Sequence, residues 1–475
     1  MSLAHLRARL AALHVSISEH RLALKELERD RKAVERELQA FTYPVLTIPP
    51  EITSEIFLHC LPEDNEPPSR NDVPIVLLAV CTAWRSVAIS VPELWESLCL
   101  DVGRIPHSIS TNTFNAIPDI WFGRAYSRPL TLSLRGGGWY RRDYFDLLRC
   151  YAPRLRSLSL HLDMPDFQGL KDIGPFPLLQ ALTIGLPFNE GQTVENLESD
   201  IFEDAPVLRQ LSLVEGTVLS FIPLPLERLT VLYADLSSTD ECLAALKSSP
   251  LLTDCTFRFG NEVYHGPEVS HSRLQSLTLF RGKENFYATG DIFNHITLPS
   301  LHTLKISGVD DLNEDGALEA FISRSSPPLR KFHFNDYYTS GSRREFHPES
   351  LGCMSTLTHI EFKDLHIDFE DDFLDLLANE ADSFLPGLQN IVFLDTAYPG
   401  SGYSNLAKTL DSRWMTDSPG VAALRSLQVI WPVDLQPYFS TTVLPFAELF
   451  TKLVAKGACI HIGPVGRNYL LKLLT

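Results

Sequence analysis

The feature that most constrains this chain is a six-residue frame, apolar-x-x-apolar-x-apolar, that recurs through its C-terminal three quarters. It runs from Leu155-Leu158-Leu160 through Leu179-Leu182-Ile184, Leu226-Leu229-Val231, Leu252-Cys255-Phe257 and Leu301-Leu304-Ile306 to Leu424-Leu427-Val429. The mean spacing is about 27 residues, with single intervals of roughly 18 to 36, a range that belongs to repeat architectures. Proline commonly introduces the frame, as in PRLRSLSL, PLLQALTI and PPLRKFHF. Its last apolar-x-apolar step alternates as a short strand does, whereas ECLAALKSS, ALEAFISRS and FLDLLANEA between frames have helical spacing. Strand followed by helix, many times over, predicts an α/β chain whose residues 129–475 form a curved stack with a parallel sheet on the concave face. Each unit buries its apolar side against its neighbours alone, so stability is close to a sum of nearest-neighbour terms. PLTLSLR, from Pro129 to Arg135, supplies a first strand or cap.

Ahead of the repeats, residues 47–98 read as a small all-helical domain. Pro49 and Pro50 suit an opening helical turn, where missing amide donors cost little, and Ile52, Ile56, Phe57 and Leu61 follow at helical spacing. A second run places Ile75, Leu78, Val80 and Cys81 before Trp84, and a third begins near Pro92 with Leu94, Trp95 and Leu98. A core of this size is marginal alone, which predicts a partner or a neighbouring domain. The polar stretch from Pro62 to Pro74 reads as a solvated loop between helices. Residues 101–128 connect the helices to the repeats, with Trp121 and Phe122 packed at the junction.

Residues 1–43 carry heptads. Leu3, Leu6, Leu10, Leu13, Ile17, Leu24, Leu27, Val34, Leu38 and Phe41 follow the seam of a coiled coil, with His20 and Arg31 in its two polar positions. This coiled-coil-like helix either forms a homodimer or packs on its own chain.

The order Pro-Pro-Glu-Ile, then Val-Cys-x-x-Trp-Arg, then Pro-Glu-Leu-Trp resembles the F-box, and the repeats resemble the degenerate leucine-rich repeats that follow F-boxes. The combination with a heptad helix is similar to the expanded F-box families of mushroom-forming fungi. The loop after Leu61 is longer and more polar than the compact F-box pattern. The resemblance implies a substrate-recognition subunit of a Skp-cullin-F-box ubiquitin ligase: the F-box holds the Skp adaptor and cullin complex, and the repeats hold a protein substrate whose identity the sequence does not name. Pro49, Pro50, Glu51, Ile52, Ile56, Leu77, Val80 and Trp84 are then the adaptor-facing candidates, the alternative being that they form the internal core of the helical domain. A non-ligase scaffold that dimerises through residues 1–43 is the competing reading.

In the repeats, residues between and just after the last two frame positions leave the open face of the sheet: His161, Arg258, Phe280, Lys305, His333, Asn335, Glu361 and Lys363. Arg258, Lys305, His333 and Lys363 make a mildly basic stripe suited to an acidic or phosphorylated segment, with Phe280 beside it, or are ordinary solvated strand residues. A formal net charge of −18 opposes general binding of nucleic acid or anionic membranes. No apolar run approaches the roughly twenty residues of a membrane span, and the first residues do not read as a signal peptide. The eight cysteines include no Cys-x-x-Cys pair and read mostly as small buried apolar residues in a reducing compartment, cytoplasmic or nuclear.

Nothing nominates a catalytic residue, a metal site or a cofactor. Asp311-x-Asn313-x-Asp315-Gly316 begins like a calcium loop, but Ile322 stands where a bidentate Glu belongs. Arg135-Gly136-Gly137-Gly138-Trp139 has no nucleophile elbow to serve and reads as a turn. The acidic run from Asp368 to Asp372 reads as a helix N-terminus, where the macrodipole favours negative charge.

Overall fold

A computed structural model describes residues 3–40, 44–62, 66–104, 111–136, 143–163, 170, 173–186, 201–215, 217, 219, 224–235, 238–259, 267–281, 292–308, 316–335, 346–364, 367–379, 384–395, 406, 409, 412–414, 421–430, 447–455 and 457–466. It is a mixed α/β chain with a long N-terminal helix and a large open parallel sheet that does not close into a barrel. Two units are distinguished, Met1–Trp95 with Arg124–Tyr126, and Glu96–Gly123 with Ser127–Thr475.

The first unit begins with α1, Leu3–Ala40. Three short helices follow: α2, Pro50–His59; α3, Leu77–Val80; and α4, Thr82–Ser90. Phe57 and Leu77 are buried among them, and the Phe57 and Trp84 rings meet edge to face with centroids 5.0 Å apart. Trp95 is 1% exposed and donates its indole N–H to the Ala88 carbonyl oxygen at 2.8 Å, while the Arg124 guanidinium lies 4.2 Å over its ring.

The second unit is built on one 14-stranded sheet, all of whose pairings are parallel. Its strands are β1 Ser97–Asp101, β2 Leu130–Arg135, β3 Leu155–His161, β4 Ala181–Gly185, β5 Gln210–Val214, β6 Val231–Asp235 and β7 Asp254–Phe259. The two-residue strands β8, Val269–Ser270, and β10, Ile296–Thr297, pair with each other outside it. The sheet continues with β9 Ser276–Arg281, β11 Thr303–Ser307, β12 Lys331–Asn335, β13 His359–Lys363, β14 Asn390–Leu394, β15 Ser426–Ile430 and β16 Cys459–Ile462. Within this sheet the spatial order repeats the sequence order, the chain passing from β7 to β9 and from β9 to β11 by way of the short strands β8 and β10. The connecting helices include α5 Thr111–Arg124, α6 Asp143–Tyr151, α7 Thr239–Ser248, α8 Ile292–His295, α9 Ala317–Ser325, α10 Ile367–Asn379 and α11 Ala447–Ala455. The helical spacing of ECLAALKSS, ALEAFISRS and FLDLLANEA falls on α7, α9 and α10.

The frame positions form the core. Leu155, Leu158 and Leu160 are buried, and so are their equivalents at Leu252-Cys255-Phe257, Leu301-Leu304-Ile306 and Leu424-Leu427-Val429. Toward β14 the aliphatic layer becomes aromatic: Phe362 meets Phe373 at 5.0 Å and Phe393 at 5.7 Å, each such pair adding about 0.5–1.5 kcal/mol beyond its burial. The residue after the first frame position extends the ladder. Its N–H donates to the equivalent carbonyl of the preceding unit at 2.7–3.0 Å, from Gln180 to Arg156 through to Arg425 to Gln389.

Two boundaries differ from the sequence reading. The sheet starts at Ser97 rather than at Pro129, because Trp95-x-x-Leu98-x-Leu100 itself carries the frame and β1 pairs with β2. The connector between them holds α5, with Phe122 buried and the Trp121 indole N–H donating to the Ser97 carbonyl oxygen at 2.9 Å. The frame at Leu226-Leu229-Val231 is also displaced by one step. LERLTVLYA fits the pattern twice, and the buried set is Leu229, Leu232 and Ala234, with Thr230 donating to Arg209 in the ladder. Leu226 is instead spent in a one-turn helix, Leu226–Arg228, that follows Pro225.

This displacement has a measurable consequence. Leu229→Ala is expected to cost about 3 kcal/mol and Leu226→Ala under about 1 kcal/mol, because only the first opens a core cavity. Urea unfolding midpoints check this, and equal losses would return the strand to the earlier frame.

Candidate functional site

In the helical unit the three ordered submotifs each have a local physical role. Pro49 caps α2 and Pro50 opens it, with Glu51 in the first turn, where a carboxylate favours the macrodipole, and His59 in the last. Thr53 donates both its N–H, at 3.0 Å, and its hydroxyl, at 3.1 Å, to the Pro49 carbonyl oxygen. In Val-Cys-x-x-Trp-Arg, the Cys81 sulfur caps α4 by accepting the Trp84 N–H at 3.4 Å. Arg85 then donates Nε–H to the Leu78 carbonyl oxygen at 2.7 Å, closing the end of α3. The motif therefore joins two helices across one residue while Trp84 locks them against Phe57.

This bracing turns other side chains outward. Ile52 and Ile56, four apart on α2, are 53% and 45% exposed, and Val80 is 53% exposed; Ile89 is exposed as well. Pro49, Pro50 and Glu51 are exposed beside them, Leu77 is buried, and Trp84 is half-buried. Of the adaptor-facing candidates, then, Leu77 and Trp84 hold the cluster together while Ile52, Ile56 and Val80 present apolar surface. In the polar loop, Asp72 accepts the Ser69 N–H at 2.8 Å; hydrogen bonds from Ser69 hold its carboxyl below the usual carboxylate range.

On the sheet, the substrate-facing candidates fall on the open face as a set. Lys305, His333 and Glu361 stand in register on β11, β12 and β13; Asn335 is level with Lys363, and Arg258 with Phe280. His161, on β3, stands apart from them. The stripe is not a bare cationic surface. Arg258 pairs with Asp235 at 3.5 Å, His333 with Glu361 at 3.2 Å and Lys363 with Asp395 at 3.3 Å. His161 pairs with Glu215 at 3.4 Å across Gly185, where a Cβ would stand only 2.6 Å from the His161 Nδ1 and 2.9 Å from the Glu215 Oε2. A glycine on the intervening strand thus permits the contact.

Asp235, Asp395 and His359 were not singled out from sequence, although the frame holds the signal. Asp235 follows Ala234 as Arg258 follows Phe257, so only the displaced frame hides the pair. His359 lies on β13 with its ring centroid 5.8 Å from that of His333. Burial, then the neighbouring His333 and Lys331, push its imidazole below the ordinary 6.5, against an upward pull from Glu361. The hydrogen bond from His333, aided by charge from His333, His359 and Lys305, holds the Glu361 carboxyl below its ordinary 4.5 despite burial.

Among the described residues, no group of three His, Cys, Asp or Glu is placed to hold a metal ion, and no helix is long and apolar enough to cross a membrane. Residues 311–315 and 137–139 lie outside the described residues. Gly136 has a φ of 85°, and the acidic run does open a helix, α10. The cysteines depart from expectation: Cys99, Cys242 and Cys255 are buried, but Cys60, Cys150, Cys353 and Cys459 are exposed, because they stand at the ends of helices and at the start of a strand rather than at inward frame positions. Comparison with protein-family models and with curated proteins returns no match.

The paired charges set a pH dependence. A His whose folded pKa lies below its unfolded one leaves the unfolded state binding more protons, so its contribution to stability is lost as pH falls below about 6.5. An NMR titration is expected to place the His359 midpoint under 6.5, and Glu361→Gln to lower it further, since the carboxylate is the neighbour that favours the imidazolium. A midpoint that rises in Glu361→Gln contradicts this arrangement.

Proposed function

We propose that this chain is an F-box protein with degenerate leucine-rich repeats, acting in the cytosol or nucleus as the substrate-recognition subunit of a Skp-cullin-F-box ubiquitin ligase. The observation that carries the reading is that Ile52, Ile56 and Val80 stay exposed on a helical cluster held together by Phe57, Leu77 and Trp84. A cluster this small gains from burying that group against an adaptor. The ordered Pro-Pro-Glu-Ile, Val-Cys-x-x-Trp-Arg and Pro-Glu-Leu-Trp submotifs support the Skp adaptor as the occupant.

In this reading the parallel sheet is the spine of a leucine-rich-repeat solenoid, and its open face, with Arg258, Phe280, Lys305, His333 and Lys363, holds a protein substrate. Because Arg258, His333 and Lys363 already pair with carboxylates, the substrate is recognised by a mixed pattern of charge rather than by simple attraction of an acidic segment. Catalysis is left to the ligase. Tethering turns ubiquitin transfer from a bimolecular encounter into a local one, so the chain contributes effective concentration and orientation.

The test uses substitutions that leave the core intact. Ile52→Asp with Val80→Asp in the full chain is expected to reduce capture of a purified Skp adaptor–cullin complex at least about a hundredfold, since two charges face a desolvated apolar contact. Unchanged capture by the folded variant contradicts the proposed surface. Failure of the unaltered chain to capture the complex favours the non-ligase scaffold instead.

A further inference from the structure

We propose that α1 pairs with α1 of a second copy of this chain, and that the two helices run antiparallel. The helix has 38 residues and a length of about 57 Å. Its seam side chains Leu10, Leu13, Ile17, Leu24, Leu27 and Val34 are 47–67% exposed, so the chain's own fold leaves them in water. Such a row of apolar side chains on one long helix is a docking surface.

The polar residues decide both the occupant and its direction. With Leu3 at heptad position a, the flanking e and g positions are basic toward the N-terminus, at Arg7, Arg9, His14 and Arg21, and acidic toward the C-terminus, at Glu28, Asp30, Glu35 and Glu37. A helix with one basic and one acidic end is complementary to itself when reversed. Antiparallel alignment of a and d layers sets Leu10 against Val34, Leu13 against Arg31, Ile17 against Leu27 and His20 against Leu24 of the other copy. The same alignment brings Arg7 beside Glu35, Arg9 beside Glu37 and His14 beside Glu28, each pair twice by symmetry, against one like-charge contact where Arg21 meets Arg21 on the twofold axis.

A parallel pair reverses these signs. It stacks His20 on His20 and Arg31 on Arg31 in the seam, and sets Arg9 beside His14 and Asp30 beside Glu35 at the flanks. In the antiparallel arrangement each polar seam residue meets a leucine instead. Arg31 already leans out of the seam to Glu35, 3.4 Å away on the next turn, so its methylene stem can cover Leu13 of the other copy while the guanidinium stays at the wet edge. The pairing rests on α1 alone and stands whether or not the following helices dock an adaptor. It sends the two C-terminal ends of α1 to opposite ends of the coiled coil.

The test is sedimentation equilibrium of the full chain and three charge variants at low ionic strength, where exposed pairs are least screened. The unaltered chain is expected to be a dimer. Arg9→Glu and Glu37→Arg should each weaken it by about tenfold, because two attractive pairs become repulsive ones. The combined variant should return to within about threefold of the original affinity. All of these positions are exposed, and an unchanged urea midpoint verifies that the variants are folded. A monomer at every concentration overturns the pairing. Tightening by Arg9→Glu, or a combined variant no better than the single ones, overturns the direction and assigns the helices as parallel.

Discussion

The structure depends on one constraint, that a parallel ladder must hand every strand's backbone and apolar face to the next strand in the chain. Parallel strands cannot be joined by a tight turn, so each connection must travel back along the sheet, and helices such as α7, α9 and α10 make that return. The frame supplies what the ladder needs. Its first apolar position starts the unit, the next residue donates to the preceding carbonyl, and the last two apolar positions bury the same face of every strand, with the alternate residue also covered in β1, β2 and β14. The other face is then free to vary without loss of core, which is why residues as different as Ser212, Tyr233 and Lys305 occupy equivalent places.

This dependence explains what could be read in advance and what could not. The frames from Leu155 onward locate strands because burial of a leucine triplet is a local demand that neighbouring residues cannot satisfy otherwise. Where the local pattern is ambiguous, as in LERLTVLYA, pairing with β5 selects the strand, with Thr230 and Val231 both donating to the Arg209 carbonyl oxygen. Trp95-Leu98-Leu100 was hidden for another reason: the helical stretch before it claims the same residues by the same apolar spacing. The charged face fared similarly. Its cations were legible from their places in the frame, but their carboxylate partners Asp235 and Asp395 come into range only through pairing across strands.

The helical unit is organised by bracing rather than by repetition. The Cys81 sulfur caps α4, the Arg85 guanidinium ties α4 to α3 and the Trp84 ring sets α4 against Phe57 of α2, while Ile52, Ile56 and Val80 stay exposed. Apolar periodicity in the sequence could not separate these two groups, since both follow helical spacing. Their separation depends on which side of each short helix meets Phe57. The same reasoning applies to α1, whose seam is apolar but whose flanks carry opposite charge at its two ends.

The account's central claim is a division of labour in which the short helices dock the ligase adaptor and the sheet does not. Hydrogen exchange of the full chain with and without a purified Skp adaptor tests it directly. Slowed exchange confined to residues 50–59 and 77–90, with the strands unchanged, is the result the account predicts. Protection that falls on the strands instead, or none anywhere at saturating adaptor, would contradict it.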